Sequence, residues 1–356
     1  MAWRKRIRIA LSTTVLLAAA FVGFCAFSYW NDKRIDEMRG INEAGYVKIG
    51  GIDQWVQIRG RDRNNPVLLW LNGGPGFSTI GDTYSVLDWE KRYTIVMWDQ
   101  RGEGKTFDRS GPSIKDTMTI AQFTGDGVEL AAYLRDHLHK DKIILFGHSW
   151  GSMLGVHMVH ERPDLFSVYV GTGQLVSEQA DAVAGYPLLV ARARSLGNKQ
   201  AVQQLLAAGP PPYPHDIRSW IPLLLWAQAL DPSSPDNPAP SPGRLWLNLR
   251  GFLRPHGLAS MITPAVQFSM ISLWPDIVKD DLPSLGLKFD LPVVFIQGAE
   301  DITTSTGLAK DYFDQIEAPS KHFITLGGVG HLALFRDCAR FLRALEENVR
   351  PLAVAG

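Results

Sequence analysis

Six apolar runs fix what this chain can fold into. They are PVLLWL (66–71), YTIVMW (93–98), KIILFG (142–147), FSVYVGT (166–172), LPVVFIQG (291–298) and HFITLGG (322–328). They run continuously instead of alternating with polar residues, so each needs burial on both faces. A strand obtains that inside a mainly parallel sheet covered by helices on either side, an α/β architecture. Helical patterns fall between the runs, clearest at 120–138 and 332–349. Ahead of them, GYVKIGG and QWVQIRG alternate and read as a hairpin of two edge strands turning at Gly50 and Gly51.

The rhythm breaks once. Residues 173–290 carry helical pieces such as 199–208, several tryptophans, and two stretches that only loops accommodate, GPPPYP (209–214) and DPSSPDNPAPSPG (231–243). An insertion after the sixth strand of an open sheet sits over the carboxyl ends of the strands, where such sheets bind ligands. The expected organisation is a core of residues 45–172 and 291–356 with a helical cap of residues 173–290.

The N-terminus stands apart from this fold. Residues 1–8 carry Arg4, Lys5, Arg6 and Arg8, and residues 9–30 hold no charge. About 20 apolar residues span a bilayer as a helix. Bulky residues continue through FVGFCAFSYW, where a cleavage site needs small ones. The expectation is an uncleaved single-pass anchor, with a cleaved signal leading to a periplasmic or secreted form as the alternative. Tyr29 and Trp30 suit the interfacial belt, and the basic residues ahead of the run outnumber Lys33 and Arg34 after it, which places the body on the extracytoplasmic side.

Lys plus Arg and Asp plus Glu balance at 36 each, which removes the electrostatic case for nucleic acid as a partner. Cys25 and Cys338 have neither disulfide-framework nor metal-ligand spacing and read as small buried hydrophobes.

The chemistry is carried by Gly147-His148-Ser149-Trp150-Gly151, which closes one apolar run and opens a helical pattern. This is the context of the G-x-S-x-G turn, in which a strained serine is lifted above the sheet and glycines on either side keep side chains out of its way. A serine hydroxyl needs a base to take its proton and a carboxylate to orient that base, here in the chain order Ser, acid, His. Of the histidines after Ser149, His157 and His160 lie on the following helix, His215 and His256 in the cap, and His322 at a strand start. His331, in GGVGHLALF between the last strand and last helix, is the expected base. The expected acid is Asp301, in the loop after VVFIQG, with Glu300 as its rival; Asp276, Asp280 and Asp281 at the end of the cap are poorer candidates. Oxyanion donors are expected from the backbone of Trp150 and of Gly73 and Gly74 in WLNGGPGFS. Asp99 and Arg101, at a strand end, read as a polar network bracing that loop.

At these residues the chain resembles the prolyl aminopeptidase (proline iminopeptidase) group of α/β-hydrolases, serine peptidase family S33, from about Gly45 to the C-terminus. The family's HGGPG motif is matched by Asn72-Gly73-Gly74-Pro75-Gly76, with Asn72 in place of histidine. Its DQRGxGxS motif is matched by residues 99–106, ending in Thr106, and its GHSWGS motif by Gly147 to Ser152. The resemblance implies a Ser149, Asp301, His331 triad with Gly74 and Trp150 as the oxyanion hole. It also implies cap carboxylates that hold the substrate's free amine, often a glutamate just after a tryptophan. LLLWAQALD lacks that glutamate, and Glu178, Asp181, Asp216 and Asp231 are the substitutes on offer.

The expected activity is serine hydrolysis releasing an N-terminal residue, such as proline, from short peptides, with no metal or cofactor because nucleophile, base and electrophilic donors come from the chain. The alternatives are a carboxylesterase or small-molecule amidase on the same triad, and a non-catalytic binding protein that keeps the fold.

Overall fold

A computed structural model describes residues 2–80, 87–232 and 263–354. Among them, eight strands form one sheet: β1 (Ile41–Ile49), β2 (Ile52–Gly60), β3 (Val67–Leu71), β4 (Thr94–Asp99), β5 (Ile143–His148), β6 (Phe166–Thr172), β7 (Val293–Gly298) and β8 (Lys321–Leu326). The order is β1-β2-β4-β3-β5-β6-β7-β8. The first two pairings, β1 with β2 and β2 with β4, are antiparallel, and all the others are parallel. Only β1 of the N-terminal hairpin is an edge strand. β2 lies inside the sheet, because its second side pairs with β4 from Trp55 opposite Asp99 to Arg59 opposite Ile95.

Burial on both faces explains the continuous apolar runs. In β3, Leu69 and Leu71 join one core with Phe123 and Leu130 of α3 (Ile120–Leu138) and Met153 and Leu154 of α4 (Trp150–Glu161). Leu68 and Trp70 point the other way, into a second core with Trp89, Phe146 and Phe341. Trp70 and Trp89 stack there with centroids 5.6 Å apart. Each such apolar side chain removed from water contributes about 1.5–3 kcal/mol. α3 begins where Thr119 accepts the Gln122 N–H and ends with His139 in the left-handed region, residues 120–138 as the sequence pattern predicts.

The helical pattern over 332–349 is not one helix. Asp337 leaves helical geometry and its carboxylate accepts the Arg340 N–H, so a short helix at Ala333–Arg336 is followed by a separately capped one at Cys338–Asn348. Cys25 and Cys338 are both buried, and the Cys338 thiol donates to the Phe335 carbonyl at 3.4 Å.

Between β6 and β7 lie four helices among the described residues: α5 (Glu178–Ser195), α6 (Lys199–Ala208), α7 (Ile217–Ala229) and α8 (Pro264–Ile277). They pack around their own core of Leu189, Leu205, Trp220, Leu223 and Trp274. α8 closes onto the strand-end loops: Ser269 Oγ donates to the Gly102 carbonyl at 2.9 Å, and a Cβ on Gly76 would lie 2.8 Å from the Val266 Cα. Most of the expected proline-rich loop (231–243) and His256 lie outside the described residues.

The N-terminal α1 (Ala2–Asp32) is long and apolar enough to cross a membrane over Leu11–Asp32. Leu11, Val15, Leu16, Leu17, Phe21, Phe24 and Phe27 are all exposed on it. Its last turns are tied to the body: Cys25 and Tyr29 are buried, Arg59 donates to the Lys33 carbonyl, and Arg61 donates to those of Asp32 and Arg34. Cations at a helix C-terminus meet its unpaired carbonyls and the negative end of its dipole.

Candidate active site

Ser149 sits between the last residue of β5 and the first of α4, at φ 55° and ψ −125°. Among the described non-glycine residues only His139 shares a positive φ, and it does so as an ordinary helix end. A side chain held in such a region costs on the order of 1–3 kcal/mol, which the surroundings must impose. The Ser149 N–H donates to the Thr172 carbonyl at 3.1 Å, and its own carbonyl accepts from Ser152 Oγ at 2.6 Å. The flanking glycines are required by contact. A Cβ on Gly147 would stand 2.3 Å from the Gly151 carbonyl oxygen, and one on Gly151 would stand 2.3 Å from that of Leu71.

The Asn72–Gly76 loop leaves β3 alongside this turn. A Cβ on Gly73 would lie 3.2 Å from the Ser149 Cβ, which places that backbone against the serine. The Trp150 N–H, at the first position of α4, has no intrahelical acceptor. The indole of Trp150 is held below by Gln100, Nε1 to Oε1 at 3.1 Å.

Asp301 follows β7 and His331 follows β8, so both reach the carboxyl edge of the sheet where Ser149 lies. His331 Nδ1 is 3.0 Å from Asp301 Oδ2. Asp301 is buried, and its other oxygen accepts the N–H groups of Thr303 and Thr304 at 2.9 and 3.0 Å. Glu300, the rival acid, is exposed to solvent. Burial pulls the His331 imidazole down, but the charge and hydrogen bond of Asp301, with the charges of Asp231 and Asp181, outweigh it and leave its pKa raised from 6.5. A neutral His148 stands beside it, with burial and the His331 charge pulling it down to about 3. Its Nε2 lies 3.1 Å from the His331 carbonyl oxygen.

The remaining sequence candidates fall in distinct places. His157 pairs with Asp280 at 2.8 Å, and Asp216 is exposed and paired with Arg218. Asp181 is buried and accepts the Ser305 and Val176 N–H groups. Glu178, at the start of α5, has its carboxyl pushed up to about 7 by burial, with the His331 charge pulling the other way. Asp99 Oδ2 accepts the Lys105 N–H at 2.9 Å, and Ser78 of the glycine loop hydrogen-bonds to its side chain. Arg101 does not face that loop; its guanidinium bonds Asp126, Thr117 and the Gly50 carbonyl, tying the N-terminal hairpin to α3.

Three residues were missed by sequence reasoning. Thr304 donates its hydroxyl to Asp301 Oδ2 at 2.9 Å and lies 3.1 Å from His331 Nδ1. Glu103, fully buried, takes the Gln100 N–H and the Asn72 side-chain amide on one oxygen, at 3.0 and 3.1 Å. Gln100 is the third, through its hold on Trp150. Glu103 and Gln100 carried a signal, since both lie in the stretch matched to the DQRGxGxS motif. Thr304 carried none, its role resting on a loop geometry no pattern encodes.

Comparison with known proteins agrees with this architecture. A model described as the alpha/beta hydrolase fold matches residues 66–208. Among curated proteins, the chain is 29% identical over 321 residues to a probable aminopeptidase, YbaC, of Bacillus subtilis, covering 89% of this chain and 99% of that one. It is 30% identical over 170 residues to a probable proline iminopeptidase of Streptomyces coelicolor, covering 47% and 49%. Among solved structures, proline iminopeptidase of Mycobacterium smegmatis superposes with a TM-score of 0.64 at 17% identity, over 88% of this chain and 99% of that one. An epoxide hydrolase of Vigna radiata superposes at 0.54 and 19% identity, over 89% and 100%.

Proposed function

We propose that this chain, which has the α/β-hydrolase fold and carries a match to that family's domain over residues 66–208, is a serine aminopeptidase acting on short peptides. The observation that carries the reading is the Asp301–His331 contact of 3.0 Å on the same sheet edge as a strained Ser149. In this reading His331 takes the Ser149 proton through Nε2 while Asp301 fixes the tautomer at Nδ1. The Ser149 oxygen attacks the carbonyl carbon, and the oxyanion is met by the N–H groups of Trp150 and Gly74, with Gly73 giving the backbone its close approach. His331 passes its proton to the leaving amine, and a water it then deprotonates releases the acyl group.

The choice of a peptide with a free N-terminus is supported by the acidic surroundings of the base. Glu178 and Asp181 enter from the first cap helix, and their charges act on His331 or on each other. An ammonium group placed there gains a charge-assisted hydrogen bond and draws a proton off Glu178. A neutral ester or amide gains neither. The names of the aminopeptidase and iminopeptidase relatives point the same way.

Residues 173–290 act in this account as the cap over the site, and residues 9–30 as a membrane anchor between the basic residues 1–8 and an extracytoplasmic body. The anchor is supported by the exposed apolar surface of α1. The activity is tested with prolyl- and alanyl-naphthylamides against their N-acetylated forms and against p-nitrophenyl esters. Blocking the amine is expected to lower kcat/KM by about tenfold or more, the size of one charge-assisted hydrogen bond. Equal turnover of free and acetylated substrates, with fast ester cleavage, replaces the aminopeptidase reading by the esterase one.

A further inference from the structure

The backbone of His331 is gripped from two sides, and one of the grips comes from the cap. Its carbonyl oxygen lies 3.1 Å from His148 Nε2, next to Ser149. Its N–H donates to Asp231 Oδ1 at 2.6 Å, a residue just past α7 and one hundred positions away in sequence. The loop between β8 and His331 reads Gly327-Gly328-Val329-Gly330 and offers one side chain, the buried Val329, to anchor itself. Gly330 is confined by the same contact: a Cβ there would stand 2.3 Å from Asp231 Oδ1 and 2.8 Å from Pro232 Cδ.

The second oxygen of Asp231 is buried with no hydrogen-bond partner among the described residues. Leaving a carboxylate oxygen in that condition is costly. Among the described residues, the His331 N–H is the group that its carboxylate bonds.

We propose that Asp231 is a positioning residue for His331, a cap carboxylate that sets the base in place only when the cap is seated on the sheet. The inference rests on the reading of Ser149, His331 and Asp301 as a triad and goes beyond it, because Asp231 bonds the main chain of His331. The geometry makes the cap part of the proton-transfer machinery. A displaced cap withdraws the acceptor, and a loop of three glycines and one valine no longer holds the imidazole in line with Ser149.

The charge of Asp231 adds to the effect. The charged groups around His331 are Asp301 after β7, Asp231 after α7, and Asp181 and Glu178 on α5, with His148 beside the ring and Arg336 acting on Asp231. Removing the Asp231 charge while keeping an acceptor oxygen therefore lowers the His331 pKa without releasing the loop.

Three variants of the full chain test this, read by the rate at which a fluorophosphonate labels Ser149 across pH, so that no substrate need be known. Asp231→Ala is expected to slow labelling by about tenfold or more. Asp231→Asn should recover most of that rate and move the acidic limb of the pH profile to lower pH. His331→Ala, run alongside, should nearly abolish labelling. If His331→Ala still labels at the wild-type rate, the triad reading fails. If it is dead while Asp231→Ala labels normally, only the Asp231 assignment fails. Should Asp231→Ala not fold, an unshifted profile in Asp231→Asn overturns the proposal by itself.

Discussion

Asp301 and His331 meet through a single ring nitrogen, Nδ1, at 3.0 Å, and Thr304 Oγ1 stands within 3.1 Å of the same atom. The carboxylate accepts from both, while the Thr303 and Thr304 N–H groups occupy its other oxygen. Asp301 is thereby held as an acceptor, which forces the ring proton onto Nδ1 and leaves Nε2 as the basic nitrogen.

Asp301→Asn follows from that arrangement. An amide rotated to donate toward Nδ1 favours the opposite tautomer, and kcat should fall by about ten-thousand-fold, the loss a wrong tautomer causes in triad enzymes. Glu300→Gln should change little, because Glu300 is exposed. Steady-state kinetics of the two variants with one substrate decides between the two carboxylates.

Glu103 should tolerate glutamine and not alanine. Burial first, then the charge of Asp99, raises its carboxyl well above 4.5, against the pull of the Gln100 N–H and the Asn72 amide. The fold therefore favours its protonated form over the charged one. Alanine leaves both donors without an acceptor and should destabilise the fold by about 1–3 kcal/mol. The raised folded-state pKa gives a sign. The folded carboxyl ionises at higher pH than the unfolded one, so stability is full below 4.5 and falls as pH rises above it. Glu103→Gln removes that decline, which thermal melts at several pH values will detect.

Glu178 predicts a pH dependence in binding. With its carboxyl raised to about 7 by burial, it gains charge as pH rises through neutrality. KM for a substrate with a free ammonium group should fall over that range. Glu178→Gln should flatten the dependence and raise KM for amine substrates while sparing p-nitrophenyl esters. An equal loss with both classes would assign Glu178 to the fold and not to substrate.

The anchor predicts where the protein is found. The full chain should sediment with membranes, resist carbonate extraction and keep an N-terminus at or next to Met1. A chain beginning at Asn31 should be soluble and active, since it retains the carbonyls that Arg59 and Arg61 bind. One beginning at Ile41 loses those partners and should melt several degrees lower. A soluble mature form starting near Ser28 would instead mean a cleaved signal.

Much of this was legible because local chemistry and global fold agree. Residues 199–208 form a helix with the expected bounds, and the glycines around Ser149 are demanded by contacts with Leu71 and Gly151. What escaped depends on long-range placement. Arg101 reads as a brace for the nearby loop, yet its partner is Asp126, fixed by how α3 packs beneath the hairpin. Asp231 reads as one of several spare cap acids, and only the return of the chain to β7 and β8 brings it to His331. The break at Asp337 lay inside a helical pattern, because apolar spacing records the buried face and not the capping bond to Arg340.

Identifying the residue that a fluorophosphonate labels shows whether Ser149 is the nucleophile. Mass spectrometry of the labelled, digested protein should place one adduct on the peptide carrying Ser149. Ser149→Ala should abolish both adduct and turnover while melting at the wild-type temperature, since a partly exposed hydroxyl contributes little packing. A folded Ser149→Ala protein that still turns over substrate, or a folded wild type that takes no label, would rule out Ser149 as the nucleophile.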